Sequence, residues 1–154
     1  MSDWTEATLL FIVEDGEILL IEKKRGHGKG FFNGPGGKVE NDETIGQAAV
    51  RETEEETGLK PLKVKKMAVL EFYFGEDPFQ RVHVFKTDIF EGELSESEEA
   101  RPEWFKLEEI PYNNMWPDDK YWLPKILNGE QFKAVFEFDE DGDEILDYEF
   151  NQGI

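Results

Sequence analysis

Three glutamates near the middle of the chain, Glu52, Glu55 and Glu56, lie in the run Arg51-Glu52-Thr53-Glu54-Glu55-Glu56-Thr57-Gly58. On a helix they fall at i, i+3 and i+4, so their carboxylates share one face. Like charges at that spacing repel by about 0.2–0.5 kcal/mol per pair. In the last turns of a helix the backbone dipole disfavours them further. A hard divalent cation reverses both costs, because Mg²⁺ takes oxygen ligands. Arg51, four residues before Glu55, can brace the cluster. A solvated acidic face on an acidic protein accounts for these eight residues equally well.

Two other charged groupings stand out. Lys23, Lys24, Arg25, Lys29 and Lys38 place five of the seventeen basic residues within sixteen positions. As a group they suit phosphate contacts, although any one of them alone is ordinary surface chemistry. Asp139-Glu140-Asp141-Gly142-Asp143 has the composition of a calcium loop but not its spacing, and reads as a solvated turn.

The elements that carry these residues follow from local pattern. Asp42 to Thr57 reads as a helix. Thr44 is its cap, Gln47 completes a capping box, and Gly58 terminates it. Thr8 to Val13 and Glu17 to Ile21 read as a hairpin around Glu14-Asp15-Gly16. From Arg25 to Gly37 glycines dominate, which predicts a long loop. Met67 to Phe74, Val82 to Phe85 and Trp104 to Leu107 read as strands. Asp118 to Leu127 reads as a second helix, entered through Pro117 and closed before Gly129. Gln131 to Phe138 and Glu144 to Phe150 form a hairpin across the acidic turn.

A chain of 154 residues with no repeat or linker predicts one domain, 1–154. Thirteen Phe, four Trp and 38% hydrophobic residues give it a core. The net charge of −19 repels nucleic-acid polymers and anionic membranes, so any phosphate-bearing ligand needs local cations or bound metal. Without cysteine there is no disulfide, thiolate catalysis or Cys-bound zinc. Met1 to Thr5 lack the pattern of a secretory leader, and no run approaches a membrane span. These features predict a cytoplasmic protein, most simply a monomer.

The stretch from Gly37 to Leu59, GKVENDETIGQAAVRETEEETGL, resembles the Nudix box of pyrophosphate-linkage hydrolases. Its fixed charged and glycine positions all match. Thr53 departs, standing where an aliphatic residue is usual, and is expected to loosen the packing beneath the helix slightly. The resemblance implies an α/β class Nudix fold, an α/β/α sandwich around a mixed sheet with the box as loop-helix-loop. It implies Mg²⁺ or Mn²⁺ held by Glu52, Glu55, Glu56 and the Gly36 carbonyl, with one glutamate as general base. Glu43 would hold the box together, and Arg51 belongs with the catalytic set.

Beyond the box, Lys23-Lys24-Arg25-Gly26, Phe32-Asn33-Gly34, Val82-His83-Val84-Phe85, Arg101-Pro102 and Met115-Trp116-Pro117-Asp118-Asp119 resemble the animal MutT-homologue subgroup. Tyr121-Trp122 and Ile145-Leu146-Asp147-Tyr148 do so as well. That subgroup comprises the oxidised purine nucleoside triphosphate hydrolases, such as 8-oxo-dGTP diphosphatases that sanitise the nucleotide pool. By this resemblance Asn33, Asp118 and Asp119 read the purine edge and Trp116 stacks on the base. Thr8 and Lys23 line the pocket and its sugar-phosphate side. Glu99 supplies a further metal ligand, with Glu98 the alternative register. His27 stands in place of an aromatic pocket residue, and Leu70 to Arg81, with the wall residues Leu70, Phe72 and Phe74, aligns poorly.

Two adjacent carboxylates facing one pocket do not both ionise readily, so one keeps a proton and donates while the other accepts. Asp118 and Asp119 taken alone fit the start of a helix better. Trp116 and Asn33 turn the balance toward base recognition. The implied reaction is metal-dependent hydrolysis of substrates such as 8-oxo-dGTP or 2-oxo-dATP to monophosphate and pyrophosphate. The alternatives are an undamaged nucleotide, a diadenosine polyphosphate or ADP-ribose as substrate, or a nucleotide-sensing Nudix module without turnover.

Overall fold

The computed structural model describes residues 4–26 and 28–153; His27 lies outside the described residues. Eight strands form a mixed sheet. They are β1 (Thr5–Glu14), β2 (Glu17–Lys23), β3 (Phe32–Asn33), β4 (Leu59–Phe74), β5 (Asp77–Gly92), β6 (Ala100–Lys106), β7 (Phe132–Phe138) and β8 (Ile145–Gln152). Two helices accompany them, α1 (Ile45–Thr57) and α2 (Asp119–Leu127). The strand order is β3-β2-β1-β5-β4-β7-β8, with β6 on the other flank of β2. The β1–β5 and β4–β7 pairs are parallel, and the other strand pairs are antiparallel.

Alternating side chains send each central strand into two cores, one on each face of the sheet. Phe11, Ile18, Leu20, Leu70, Val84 and Phe136 pack with Trp122, Leu123 and Ile126 of α2. Leu10, Ile12, Leu19, Leu59 and Phe85 pack with Ala49 of α1. This is the expected helix–sheet–helix sandwich.

Strands β1 and β2 pair only beside their turn, at Val13–Ile18 and Glu14–Glu17. Toward its start β1 diverges from β2, and the glycine-rich segment takes up the freed backbone groups. Thr8 N–H donates to Gly37 O (2.8 Å), Leu10 N–H to Pro35 O (2.9 Å) and Val39 N–H to Glu6 O (3.1 Å). The predicted loop therefore contains the short strand β3 and an added lane of backbone pairing along β1.

Helix α1 has the expected ends. Thr44 Oγ1 accepts from Gln47 N–H, Gln47 Oε1 accepts from Thr44 N–H, and Gly58 turns left-handed at φ 82°. It begins at Ile45 rather than Asp42, because the cap is at Thr44. Thr53, expected to loosen the packing beneath the helix slightly, is accommodated there. It is fully buried, and its hydroxyl donates to Ala49 O at 2.8 Å, so no polar atom is stranded.

Strands β4 and β5 are much longer than predicted, since β4 starts directly after Gly58. Strand β6 begins at Ala100, and Leu107 already belongs to a 3₁₀ turn. Of the predicted wall residues Leu70 is core, while Phe72 and Phe74 stack on Phe136 and Phe79. Among the described residues no helix is long and apolar enough to cross a membrane.

Candidate active site

Gly36 and Gly37 lie between β1 and the last turns of α1, and neither tolerates a side chain. A Cβ on Gly36 would sit 1.9 Å from Thr8 O. One on Gly37 would sit 2.7 Å from the Glu52 carboxylate carbon. Glycine here brings a backbone segment against the acidic face of the helix.

Arg51 organises that face. Its Nε and Nη2 donate to the two oxygens of Glu43 at 2.9 and 2.7 Å. Nη1 donates to Glu52 at 2.8 Å and to Glu55 at 3.3 Å. Nη2 also reaches the Lys38 carbonyl at 3.3 Å. Glu43 in turn accepts from Glu40 N–H at 2.9 Å. The guanidinium and that backbone donor hold Glu43 down to about 2. Glu43 thus braces the loop, and Arg51 links it to the carboxylates of Glu52 and Glu55.

Glu56 is the deepest of the three. Its Oε1 accepts from Gly36 N–H at 2.8 Å. Burial pushes its pKa up to about 8, against the pull of that hydrogen bond, and the charge on Glu52 adds to the rise. Burial also raises Glu52, opposed by Arg51. Lys23, at the end of β2, is the cation that favours ionised Glu56.

A divalent cation fits this donor set. Three carboxylates share one helix face, and burial holds the pKa of Glu56 near 8 despite Lys23, a cost that a cation beside it would offset. Among the described residues no three acidic or imidazole side chains already converge as a ligand cage. Arg51 engages Glu52 and Glu55, and the Gly36 N–H engages Glu56. Glu99 is not gathered with them: Arg25 Nε donates to its Oε1 at 2.9 Å, and Arg25 Nη2 lies 3.7 Å from Glu98. Lys24 pairs with Glu96 at 2.5 Å. The basic cluster thus divides between tethering the 96–99 loop and, through Lys23, facing the acidic site.

The other residues expected of a site lie at the approach to α2. Asp118 and Asp119 are 5% and 2% exposed, in a chain otherwise covered with solvated acids. Asp118 occupies the cap position of α2 yet makes no capping hydrogen bond with its side chain. Its Oδ2 accepts instead from the Trp122 indole N–H at 2.7 Å. Asp119 Oδ2 is buried with no hydrogen-bond partner. Burial raises both carboxyls, and the neighbouring Asp118 charge pushes Asp119 higher still. The helix-start reading explains none of this, because a capping carboxylate would be exposed and bonded to the helix backbone.

The glycine-rich loop folds over that approach. The Phe31 ring meets Trp116 edge-on at 5.1 Å, a Gly28 Cβ would touch the indole at 3.0 Å, and Asn114 Nδ2 donates to Gly30 O at 3.0 Å. Asn33 follows on β3, its Oδ1 accepting from Gly34 N–H at 2.8 Å. Thr8 is buried against Gly37. Trp122, named in the sequence only as part of a resembling segment, is the partner of Asp118, and its i+4 spacing was the available signal.

The fold and this box define a hydrolase class. The NUDIX domain pattern matches residues 4–126, and the chain belongs to that family, whose hydrolases generally use divalent metal ions. Over 146 residues the chain is 43% identical to the oxidized purine nucleoside triphosphate hydrolase of Danio rerio, covering 94% of this chain and 93% of that protein. It is 42% identical to the Mus musculus protein of the same name, with the same coverage. Among solved structures it resembles the mutator MutT protein of Bacillus halodurans, with TM-score 0.84 and 27% identity over 96% of this chain and 97% of that one.

Proposed function

We propose that the 154 residues work as one Nudix domain that hydrolyses purine nucleoside triphosphates carrying an oxidised base, 8-oxo-dGTP or 2-oxo-dATP, to monophosphate and diphosphate. The observation that carries this reading is the Asp118–Asp119 pair, both buried, both pushed up by that burial, with Asp119 Oδ2 left without a partner. A buried polar atom left unpaired costs about 1–3 kcal/mol, so the site calls for a ligand that hydrogen-bonds there. The purine edge offers the complementary donors and acceptors. The two vertebrate relatives, matched across nearly their whole length, carry names of that activity.

In this reading Trp116 stacks on the base while Asn33, Asp118 and Asp119 read its edge. Thr8 lines the pocket, and Lys23 draws the phosphates toward the acidic face. Glu52, Glu55, Glu56 and the Gly36 carbonyl would hold Mg²⁺ or Mn²⁺, with Glu99 joining them by leaving Arg25. When bound, such a cation would neutralise phosphate charge and make water easier to deprotonate. Water oxygen adds to phosphorus, the bridging P–O bond breaks, diphosphate leaves, and a carboxylate of the Glu52–Glu55–Glu56 set takes the water proton. Arg51 keeps that set oriented. A monomer in the cytoplasm fits the self-repelling surface of net charge −19 and the absence of cysteine.

Pyrophosphate release with Mg²⁺ tests the reading, using 8-oxo-dGTP, 2-oxo-dATP, dGTP and ADP-ribose, with Glu56→Gln as control. Oxidised purines should lead in kcat/KM, and the variant should lose at least a hundredfold. If ADP-ribose leads, the assignment of the Asp pair is wrong.

A further inference from the structure

The Asp pair has one fixed asymmetry, and Trp122 supplies it. Trp122 is 1% exposed, lies one helical turn beyond Asp118, and packs its ring against Phe11 of β1 at 5.9 Å. Its indole N–H is a donor only, so Asp118 Oδ2 can meet it solely as an acceptor. At Asp119, Oδ2 meets no such donor. Its amide donates to Trp116 O at 3.1 Å, which fixes the backbone, while its Oδ2 stays unpaired. Tyr112, on the 3₁₀ turn before α2, is a titratable neighbour of Asp119. It is an acid itself and supplies no positive charge. The bond from Trp122 and the contact between the two carboxyls favour negative charge on Asp118 and the proton on Asp119, and the opposing pull of the Trp116 backbone is the smallest influence on Asp119.

We propose that Trp122 is a positioning residue for base recognition: by donating its indole N–H to Asp118 Oδ2, it keeps Asp118 the acceptor and Asp119 the proton-carrying donor of the pair. The inference rests on the reading of this pair as the base-recognising site. A site that presents an acceptor and a donor in fixed order prefers the purine edge with the opposite order. An edge that demands the reverse order pays for moving the proton to Asp118, and with it the loss of the charge-assisted bond from Trp122. Trp122 thereby sets how sharply the enzyme separates one oxidised purine from another. The directions of titration agree, since the bond from Trp122 opposes the effect of burial on Asp118, whereas the Asp118 charge adds to the effect of burial on Asp119.

The test is Trp122→Phe, read in two ways. Carboxyl ¹³C NMR of the free protein should show the first ionisation of the pair move up by about one pH unit or more, the equivalent of one charge-assisted hydrogen bond. The ratio of kcat/KM between 8-oxo-dGTP and 2-oxo-dATP should move toward unity by about tenfold, through KM rather than kcat. If Tm falls while the titration and the ratio both stay put, Trp122 only packs, and the proposal is overturned. Should Trp122→Phe fail to fold, benzothienylalanine placed at position 122 keeps the shape and replaces N–H by sulfur. The same shifts are expected, and their absence overturns the proposal. Asp119→Asn separates the two levels. If it leaves KM for oxidised purines unchanged, the base-recognition reading itself fails. If it raises KM while Trp122→Phe moves nothing, only the role of Trp122 fails.

Discussion

Arg51 clasps Glu43 with two parallel hydrogen bonds, from Nε at 2.9 Å and from Nη2 at 2.7 Å, and its remaining nitrogen then falls on Glu52. A planar fork can make the pair and the onward contact together; an ammonium cannot. Arg51→Lys should therefore keep the fold while kcat falls by about 10- to 100-fold, the usual cost of losing a group that orients ligands. Steady-state kinetics beside a melting curve check it, and an unchanged kcat would show that Glu52 needs no brace.

Glu43 makes the same clasp visible in stability. Its folded pKa, about 2, lies below the ordinary carboxylate value of 4.5. The sign is that of a depressed acid: the stabilisation is complete above pH 4.5 and is lost as pH falls toward 2. Glu43→Gln should flatten that acid limb of the Tm profile. A variant whose Tm falls as steeply between those pH values would argue against the clasp.

Adjacent glycines should fail in different ways. Gly36→Ala drives a Cβ to 1.9 Å from the Thr8 carbonyl, which is backbone within the sheet, so it should cost several kcal/mol and aggregate or melt early. Gly37→Ala meets only the end of the flexible Glu52 side chain, at 2.7 Å. It should fold with little loss of Tm, displace that carboxylate, and lower kcat by about tenfold or more. Equal melting temperatures for the two variants would contradict the packing described here.

Much of this was legible in the sequence where local chemistry decides the outcome. Thr44, Gln47 and Gly58 specify both ends of α1 through hydrogen bonds within a few residues, and the i, i+3, i+4 spacing of the glutamates follows from the helix. The first half of β4 was not legible. Leu59 to Lys66 is lysine-rich, pairs only with β5 on one side, and shows no clean alternation, so its strand state comes from its partner. Nor could position alone reveal that Asp118 would decline its cap and accept from Trp122, because that choice depends on burial. Glu99 was placed by register in a run of acids, and Arg25, seventy-four residues away, holds it in this structure. Such long-range pairing is outside the reach of spacing arguments.

The two aspartates should separate in kinetics. Asp119→Asn replaces the proton-carrying member with an amide that still donates, whereas Asp118→Asn puts an amide where Trp122 already donates. The second substitution leaves an oxygen for Trp122 but removes the charge that strengthens that bond, and it puts an NH2 where the other carboxylate oxygen accepted. Asp118→Asn should therefore raise KM for the preferred oxidised purine by about 10- to 100-fold and lower Tm, and Asp119→Asn should raise KM with less effect on Tm. The reverse order of Tm losses would place the charge on Asp119.

Glu56 carries the clearest conflict between stability and chemistry. Its pKa of about 8 in the folded protein lies above the ordinary 4.5, so between those values the folded state holds a proton that the unfolded state has lost. For an acid raised on folding, stability falls as pH climbs through that window and stays low above it. Holding this acid near 8 instead of 4.5 costs the metal-free chain on the order of 5 kcal/mol at high pH. Glu56→Gln removes the charge and keeps an oxygen acceptor for the Gly36 N–H. At pH 8.5 in EDTA the variant should therefore be more stable than the wild-type chain by a few kcal/mol, with the difference vanishing near pH 4.5, while its hydrolysis collapses at every pH. Saturating Mg²⁺ should raise the Tm of the wild-type chain at pH 8.5 and leave that of Glu56→Gln nearly unmoved. Equal stability of the two chains at pH 8.5 would mean that Glu56 is ionised there without cost, and the case for a cation at this carboxylate would lose its physical basis.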